Sequence, residues 1–313
     1  MHSYFKNLAK EFLYSSNFQC NQNEIARKIY DTLSKSYKAK DNEVKMVTKL
    51  CAALNEEKCG AAKLYAAKIH GKRSYVEFYN GSNERKVKEL ADMVIISLVT
   101  SGEKIILEKI ALIQNKKEEK EGTVKWKIDQ DQLFLLNNMP IFDGVSGLFS
   151  KRKNITLPNI YGQLGNYGLL YSNGDMAFAN AKIINALQDG ATISFDKIRN
   201  ETARDNIFYH TNMLFHPIYN EISIITRSPI FGTCDIALNL YQFVRNWTQL
   251  NVGETVVTGG MCTSNILLGL TECIFKKMKL DNKFNFNILK EEKIRDLEID
   301  FNGAVFVLRY DFA

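Results

Sequence analysis

The run Asp92-Met-Val-Ile-Ile-Ser-Leu-Val99, then Thr100-Ser-Gly-Glu103, then Lys104 to Lys116 (KIILEKIALIQNK) decides how this chain reads. Two apolar, β-branched segments flank a short turn containing glycine, which is the signature of a β-hairpin. Paired residues of an antiparallel hairpin share a constant index sum, here roughly 205 for a turn centred near Gly102 and Glu103. Asp92 therefore falls across from about Ile113, next to Gln114. Gln114 and Lys116 are two apart and point to one face of the sheet. A carboxylate, a carboxamide and an ammonium thus converge at the open end of one hairpin.

Those groups suit metal-assisted phosphodiester hydrolysis. Hard Mg²⁺ takes oxygen ligands and keeps waters where the protein offers few. Asp92 is the expected charged ligand and Gln114 a weaker, neutral one. Lys116 is placed to orient or help deprotonate an attacking water and to offset charge on the phosphorane. A further acid is desirable, and Glu89, Glu24 and Glu77 are the candidates. The plainer alternative is that Asp92 only terminates a strand and that Gln114 to Lys117 are the solvated end of a hairpin.

Working outward, residues 4 to 70 read as helical. Ile25, Ile29 and Leu33 lie four apart, Val44, Val47, Leu50 and Leu54 repeat the pattern, and Leu64 to Ile69 continue into a third helix. SYVEFYNGSN alternates like a strand ending in a turn, followed by a short polar segment, ERKVKEL. Residues 117 to 127 read as a charged surface loop. DQDQLFLLN (129 to 137) reads as a helix capped by Asp129 and stopped before Pro140. Beyond a loop-rich stretch at 151 to 173, helices are expected from about Asp175 to Leu187 and from Asp235 to Leu250. Strands are expected at Thr192 to Phe195, at Glu221 to Thr226, and as a pair between Lys293 and Tyr310 around Asn302-Gly303.

Of the 313 residues, 45% are hydrophobic, enough to bury a large core without disulfide or metal staples. The 24% charged residues, 4 prolines and 18 glycines exclude disordered, collagen-like and coiled-coil readings. No apolar run is long enough for a membrane span, and MHSYFKNLAKEF lacks the basic and apolar parts of a secretory signal. Six cysteines without a CxxC pair read as reduced thiols, so a cytoplasmic location and no membrane partner are expected. The net charge of +6 is compatible with a polyanion partner.

The pattern Glu89-Leu-Ala-Asp92, hairpin, Gln114-Asn-Lys116 resembles the PD-(D/E)xK nuclease superfamily, and its Gln-x-Lys form resembles the Mrr-like branch. That signature places an Asp on one strand of a hairpin and an acid-x-Lys at the end of the next. Here Ala91 stands where the signature has Pro, and Gln114 replaces the acid. The resemblance implies an α/β, restriction-endonuclease-like fold, a mixed sheet of about four core strands flanked by helices, with the first helix often giving an acidic residue. It implies a Mg²⁺- or Mn²⁺-dependent endodeoxyribonuclease with DNA as substrate, a protein partner or a homodimer, and a role in restriction or anti-phage defence. The expected organisation is a nuclease-like core with N-terminal helices over residues 1–150. An α+β accessory or recognition region follows over 151–313, separate or packed with the core as one unit. The substitution at Gln114 also keeps open a non-catalytic, nuclease-like subunit of a larger nucleic-acid-processing complex.

The remaining motifs carry less. Lys151-Arg152-Lys153 is either a solvated loop or a contact to the DNA backbone. Tyr161, Tyr167 and Tyr171 nearby are packing residues or, in the sharper reading, a stacking platform. Gly162-Gln-Leu-Gly165-Asn-Tyr-Gly168 reads as a turn-rich loop needing positive φ. His210 and His216 are too far apart for a good metal clamp. Cys51 and Cys59 read as small hydrophobes on helices.

Overall fold

The structure is a computed structural model describing residues 24–25, 27–29, 31, 43–54, 57–59, 62–102, 104–173, 175–187, 190, 192–194, 233–258, 261–280 and 300–312. In chain order its elements are α1 (Glu43–Leu54), β1 (Glu57–Cys59), β2 (Ala62–Ile69), β3 (Tyr75–Tyr79), β4 (Arg85–Glu89), β5 (Met93–Ser101), β6 (Lys104–Lys117), β7 (Lys125–Lys127), α2 (Gln130–Asn138) and β8 (Phe142–Gly144). There follow β9 (Gly165–Leu170), β10 (Met176–Asn180), α3 (Ala181–Leu187), β11 (Thr192–Ser194), β12 (Ile236–Ala237), α4 (Leu240–Thr248), β13 (Glu254–Thr258), β14 (Met261–Cys262), α5 (Asn265–Lys277) and β15 (Gly303–Phe312).

Strands β5 and β6 form the expected hairpin, with Met93 opposite Ile113 and an irregularity at Val99/Thr100. The register lies one residue from the turn-centre arithmetic, and the Asp92 N–H donates to the Ile113 carbonyl at 3.0 Å. The hairpin sits inside a mixed sheet of order β1-β2-β15-β5-β6-β9-β10-β12, with β13 also pairing β6. β15 runs parallel to β5 and β9 runs parallel to β6. Because β5 has neighbours on both edges and cover on both faces, eight of its nine residues are buried, as its unbroken apolar run requires. The protein is therefore α/β, a large mixed sheet flanked by helices. Strands β9, β10, β12, β13 and β15, all from beyond residue 150, share that sheet with the hairpin.

Alternation divides the apolar side chains between two cores. Val94, Ile96 and Leu98 join Leu133 and Leu136 of α2, Ile184 of α3 and Ile274 of α5 on one face. Met93, Ile95 and Phe306 join Met46 and Val47 of α1 and Phe243 and Trp247 of α4 on the other. Each such fully buried aliphatic or aromatic side chain contributes about 1.5–3 kcal/mol.

Several sequence expectations give way here. Residues 62–69 are strand, not helix: their alanines have helical propensity, but the segment pairs with β1 and β15 along its length, and tertiary pairing overrides propensity. Cys59 accordingly lies on a strand, whereas Cys51 lies on α1, where burial pushes its thiol up to about 12. ERKVKEL contributes β4, which pairs with β3. The charged loop contains β7, whose Trp126 is buried and donates to the Leu170 carbonyl at 3.2 Å. Gly165 and Gly168 lie on β9 and are needed for close approach: an added Cβ would meet the Leu136 carbonyl oxygen at 2.2 Å or Asn115 Oδ1 at 2.4 Å. Of that motif only Gly162 has positive φ, +69°. Residues 176–180 are strand ahead of α3, and β12 precedes a helix shorter than expected at 240–248. Gly303 opens one long strand of the expected C-terminal pair, β15. The expected strand at Glu221 to Thr226, and His210 and His216, lie outside the described residues, as does most of the segment from Lys293. Among the described residues no helix is long and apolar enough to cross a membrane.

Candidate functional site

At the mouth of the hairpin an open cleft is lined by Glu43, Val44, Val47, Lys68, Arg73, Glu89, Asp92, Gln114, Asn115, Lys116 and Asn302. Four expected site residues, Glu89, Asp92, Gln114 and Lys116, are brought together there. Pleating explains the convergence: Gln114 and Lys116 follow Leu112 on the face covered by α2, and Asp92 shares that side. The Asp92 backbone is held from both neighbouring strands, since its carbonyl also accepts the Ala304 N–H at 3.1 Å.

One polar chain links the four. Asp92 Oδ2 accepts the side-chain N–H of Gln114 and, at 2.9 Å, the backbone N–H of Asn115. Gln114 Oε1 accepts Gln132 Nε2 at 2.6 Å, and Gln132 Oε1 accepts Lys116 Nζ at 2.9 Å. Gln132 Nε2 also donates to the Glu89 carbonyl at 3.0 Å. Sequence reasoning missed Gln132, although a signal was there. It stands three residues after the helix cap Asp129, which accepts its backbone N–H, the place of the returning residue in a capping box. In the fold its side chain turns to the sheet instead.

The carboxylates are crowded. Burial and the neighbouring Asp92 push Glu89 up to about 7, while Arg73 and Lys116 oppose the rise. Arg73 Nη1 lies 3.8 Å from the Glu89 carboxylate. Burial also raises Asp92, with Glu43 adding to the effect, against the Asn115 N–H, Lys116 and Gln114. Glu43, the first residue of α1, is the acid that sequence reading did not select. Its Oε1 accepts the Lys117 N–H at 3.0 Å, which anchors α1 beside the hairpin end.

Other expected residues lie elsewhere. Glu24 is exposed on its helix and does not line the cleft. Glu77 pairs with Arg85 at 2.6 Å on the separate three-stranded sheet β4-β3-β8. Lys151, Arg152 and Lys153 lie outside the cleft lining, and Lys153 pairs with Asp143 at 2.8 Å. Tyr167 and Tyr171 are buried, so they form no stacking platform: Tyr171 packs edge-on against Trp126 at 5.0 Å.

Asn115 has an unusual place. It is only 3% exposed, and among the described residues neither its amide nitrogen nor its oxygen meets a hydrogen-bond partner. It lines both the cleft and an apolar cavity containing Met46, Met93 and Trp247. Burying an unsatisfied amide costs about 1–3 kcal/mol. Asn115→Leu is therefore expected to raise stability by about that amount, read as a higher urea midpoint at constant m. A lower midpoint would mean that the amide has a partner in solution.

The donor set bears on a divalent cation. Among the described residues no group of three or more His, Cys, Asp or Glu side chains closes around one metal position. The Gln114 and Asn115 N–H groups both meet Asp92 at Oδ2, and Asp92 lines the cleft. Two mutually destabilising carboxylates with few further ligands fit a hard cation that keeps most of its waters. No protein-family model, curated protein or solved structure matches this chain.

Proposed function

We propose that the cleft at the hairpin mouth is the active site of a Mg²⁺- or Mn²⁺-dependent endodeoxyribonuclease with a restriction-endonuclease-like core. The observation that carries this reading is the placement of Glu89, Asp92 and Lys116 in one polar cleft at the open end of a buried hairpin. Supporting it, Lys68 and Arg73 stand on the same cleft, where flexible cations can hold phosphate oxygens.

Asp92 and Glu89 would hold the cation. When bound, such an ion supplies Lewis acidity and offsets phosphate charge. Arg73 would bind a non-bridging oxygen and fix the phosphate in the cleft. Lys116 would orient the attacking water and compensate the charge that builds on phosphorus. Asp92, held by the Asn115 N–H and the Gln114 amide, would keep one oxygen aimed at the reacting region.

A second reading has its own support. Gln114 stands where the family signature has an acid, and its oxygen already accepts Gln132. A cleft so arranged also fits a non-catalytic subunit that binds DNA or a protein partner.

Supercoiled plasmid incubated with the full chain and Mg²⁺ or Mn²⁺ separates the two. The expected result is nicking that EDTA stops and that both Asp92→Ala and Lys116→Ala abolish. Intact plasmid under every metal, with folded protein and with a cell fraction added as a source of partners, would sink the enzyme reading. The anticipated place in restriction or anti-phage defence follows from the resemblance alone.

A further inference from the structure

Gln132 is fixed by two neighbours that cannot exchange roles. The Glu89 carbonyl can only accept, and the Lys116 ammonium can only donate. Gln132 must therefore turn Nε2 toward Glu89 and Oε1 toward Lys116, as it does at 3.0 and 2.9 Å. The remaining Nε2 hydrogen meets Gln114 at 2.6 Å, where only an oxygen can receive it. The Gln114 nitrogen is then left for Asp92. Donors run one way, from Lys116 through Gln132 and Gln114 to Asp92. Both glutamines are 5% exposed, so water cannot make good a reversed bond.

We propose that Gln132 is a positioning residue that locks Gln114 as a hydrogen-bond donor to Asp92, and so withholds the Gln114 oxygen from a cation in the cleft. Reversing Gln114 alone would set its NH₂ against that of Gln132. Reversing both would set an NH₂ against the Lys116 ammonium and leave the Glu89 carbonyl unpaired. Gln114 therefore serves by holding Asp92, and its carbonyl becomes a ligand only when Gln132 lets go. The part of this that concerns a cation rests on the reading of the cleft given above; the lock itself does not.

Two variants and two readouts test it on the full-length protein. Gln132→Glu keeps an acceptor for Lys116 but sets an acceptor against each end of Gln114, so Gln114 should sample both orientations. Gln132→Met removes donor and acceptor without adding charge, so Gln114 should sample both orientations. The first readout is metal-free: the nuclear Overhauser contact between the Gln114 side-chain NH₂ and the Asn115 backbone N–H, two groups that share Asp92 Oδ2. It should be strong in the parent and at least about twofold weaker in both variants. The second is affinity for Mn²⁺ alone, which should tighten about threefold in Gln132→Met, the variant that adds no charge, as an oxygen is released to the cleft. A residue that served only to hold the fold would weaken Mn²⁺ binding or leave it unchanged. If the contact persists in both variants, the lock is wrong whatever Mn²⁺ does. If the contact responds but no form binds Mn²⁺, the lock stands and the cation reading of the cleft fails. Should the Glu variant not fold, the Met variant decides alone.

Discussion

Asp92→Asn is expected to give a protein at least as stable as the parent that nicks plasmid at least about a hundredfold more slowly. The two effects have one origin. Burial disfavours the ionised Asp92 carboxyl in the folded chain, and Glu43 adds to that. Its ionised form is therefore less favourable folded than unfolded, and a neutral amide removes the cost. Asn can still accept the Asn115 N–H and the Gln114 amide through its oxygen, so the hairpin mouth keeps its shape. What it cannot do is present a second, charged oxygen to the cleft. Urea unfolding and plasmid nicking at neutral pH check the pair. A marked fall in stability would mean that the carboxylate holds the fold together. Unchanged nicking would remove Asp92 from the chemistry.

Such opposed effects on stability and activity show what the sequence can carry. The hairpin was legible because its evidence is local: two apolar runs, a turn with glycine, and a period of two that puts Gln114 and Lys116 on one face. The convergence of Asp92 with Gln114 followed from register alone. Glu43 was not legible, because which helical acid reaches the cleft depends on how α1 crosses the end of the sheet. Periodicity placed Val44, Val47, Leu50 and Leu54 on the inner face of α1, of which Val47 and Leu54 are buried and Val44 is exposed, but it says nothing of that crossing. Gln132 carried a capping signal that pointed to a local role, and only the packing of α2 on β6 gave its side chain a distant one. The insertion of β15 between β2 and β5 was beyond reach for the same reason. Nothing in GAVFVLRYDF names its neighbours, and Lys63 meets Asp311 across that pairing at 2.6 Å over a separation of 248 residues.

The stability of the protein should pass through a minimum near pH 8 in the part set by two adjacent residues of β6, Glu108 and Lys109. Both are fully enclosed on opposite faces of the strand. Among the described residues neither oxygen of Glu108 has a hydrogen-bond partner, and the Thr271 hydroxyl beside it donates to the Leu267 carbonyl at 3.2 Å. Burial pushes Glu108 up to about 8, against a residual pull from Thr271, and Glu272 adds to the rise. Burial pushes Lys109 down to about 8, against the nearby Glu254 carboxylate. The signs follow by linkage. Between the ordinary carboxylate range and pH 8 the folded chain keeps a proton on Glu108 that the unfolded chain releases, so stability falls as pH rises. Between pH 8 and the ordinary lysine range the unfolded chain keeps a proton that folded Lys109 lacks, so stability rises with pH. A tenfold change in a protonation equilibrium corresponds to about 1.4 kcal/mol. Glu108→Gln should therefore remove the falling limb. Relative to the parent it should gain about 3 kcal/mol between roughly pH 6 and 9, and Lys109→Met should remove the rising limb. Comparing variant with parent at each pH cancels the titrating groups that couple weakly to Glu108, such as Glu89 at the far end of the sheet. Urea midpoints across that range measure both limbs. A Glu108→Gln protein whose pH profile runs parallel to the parent's would show that the buried carboxyl finds water or a partner in solution and ionises there as it does unfolded.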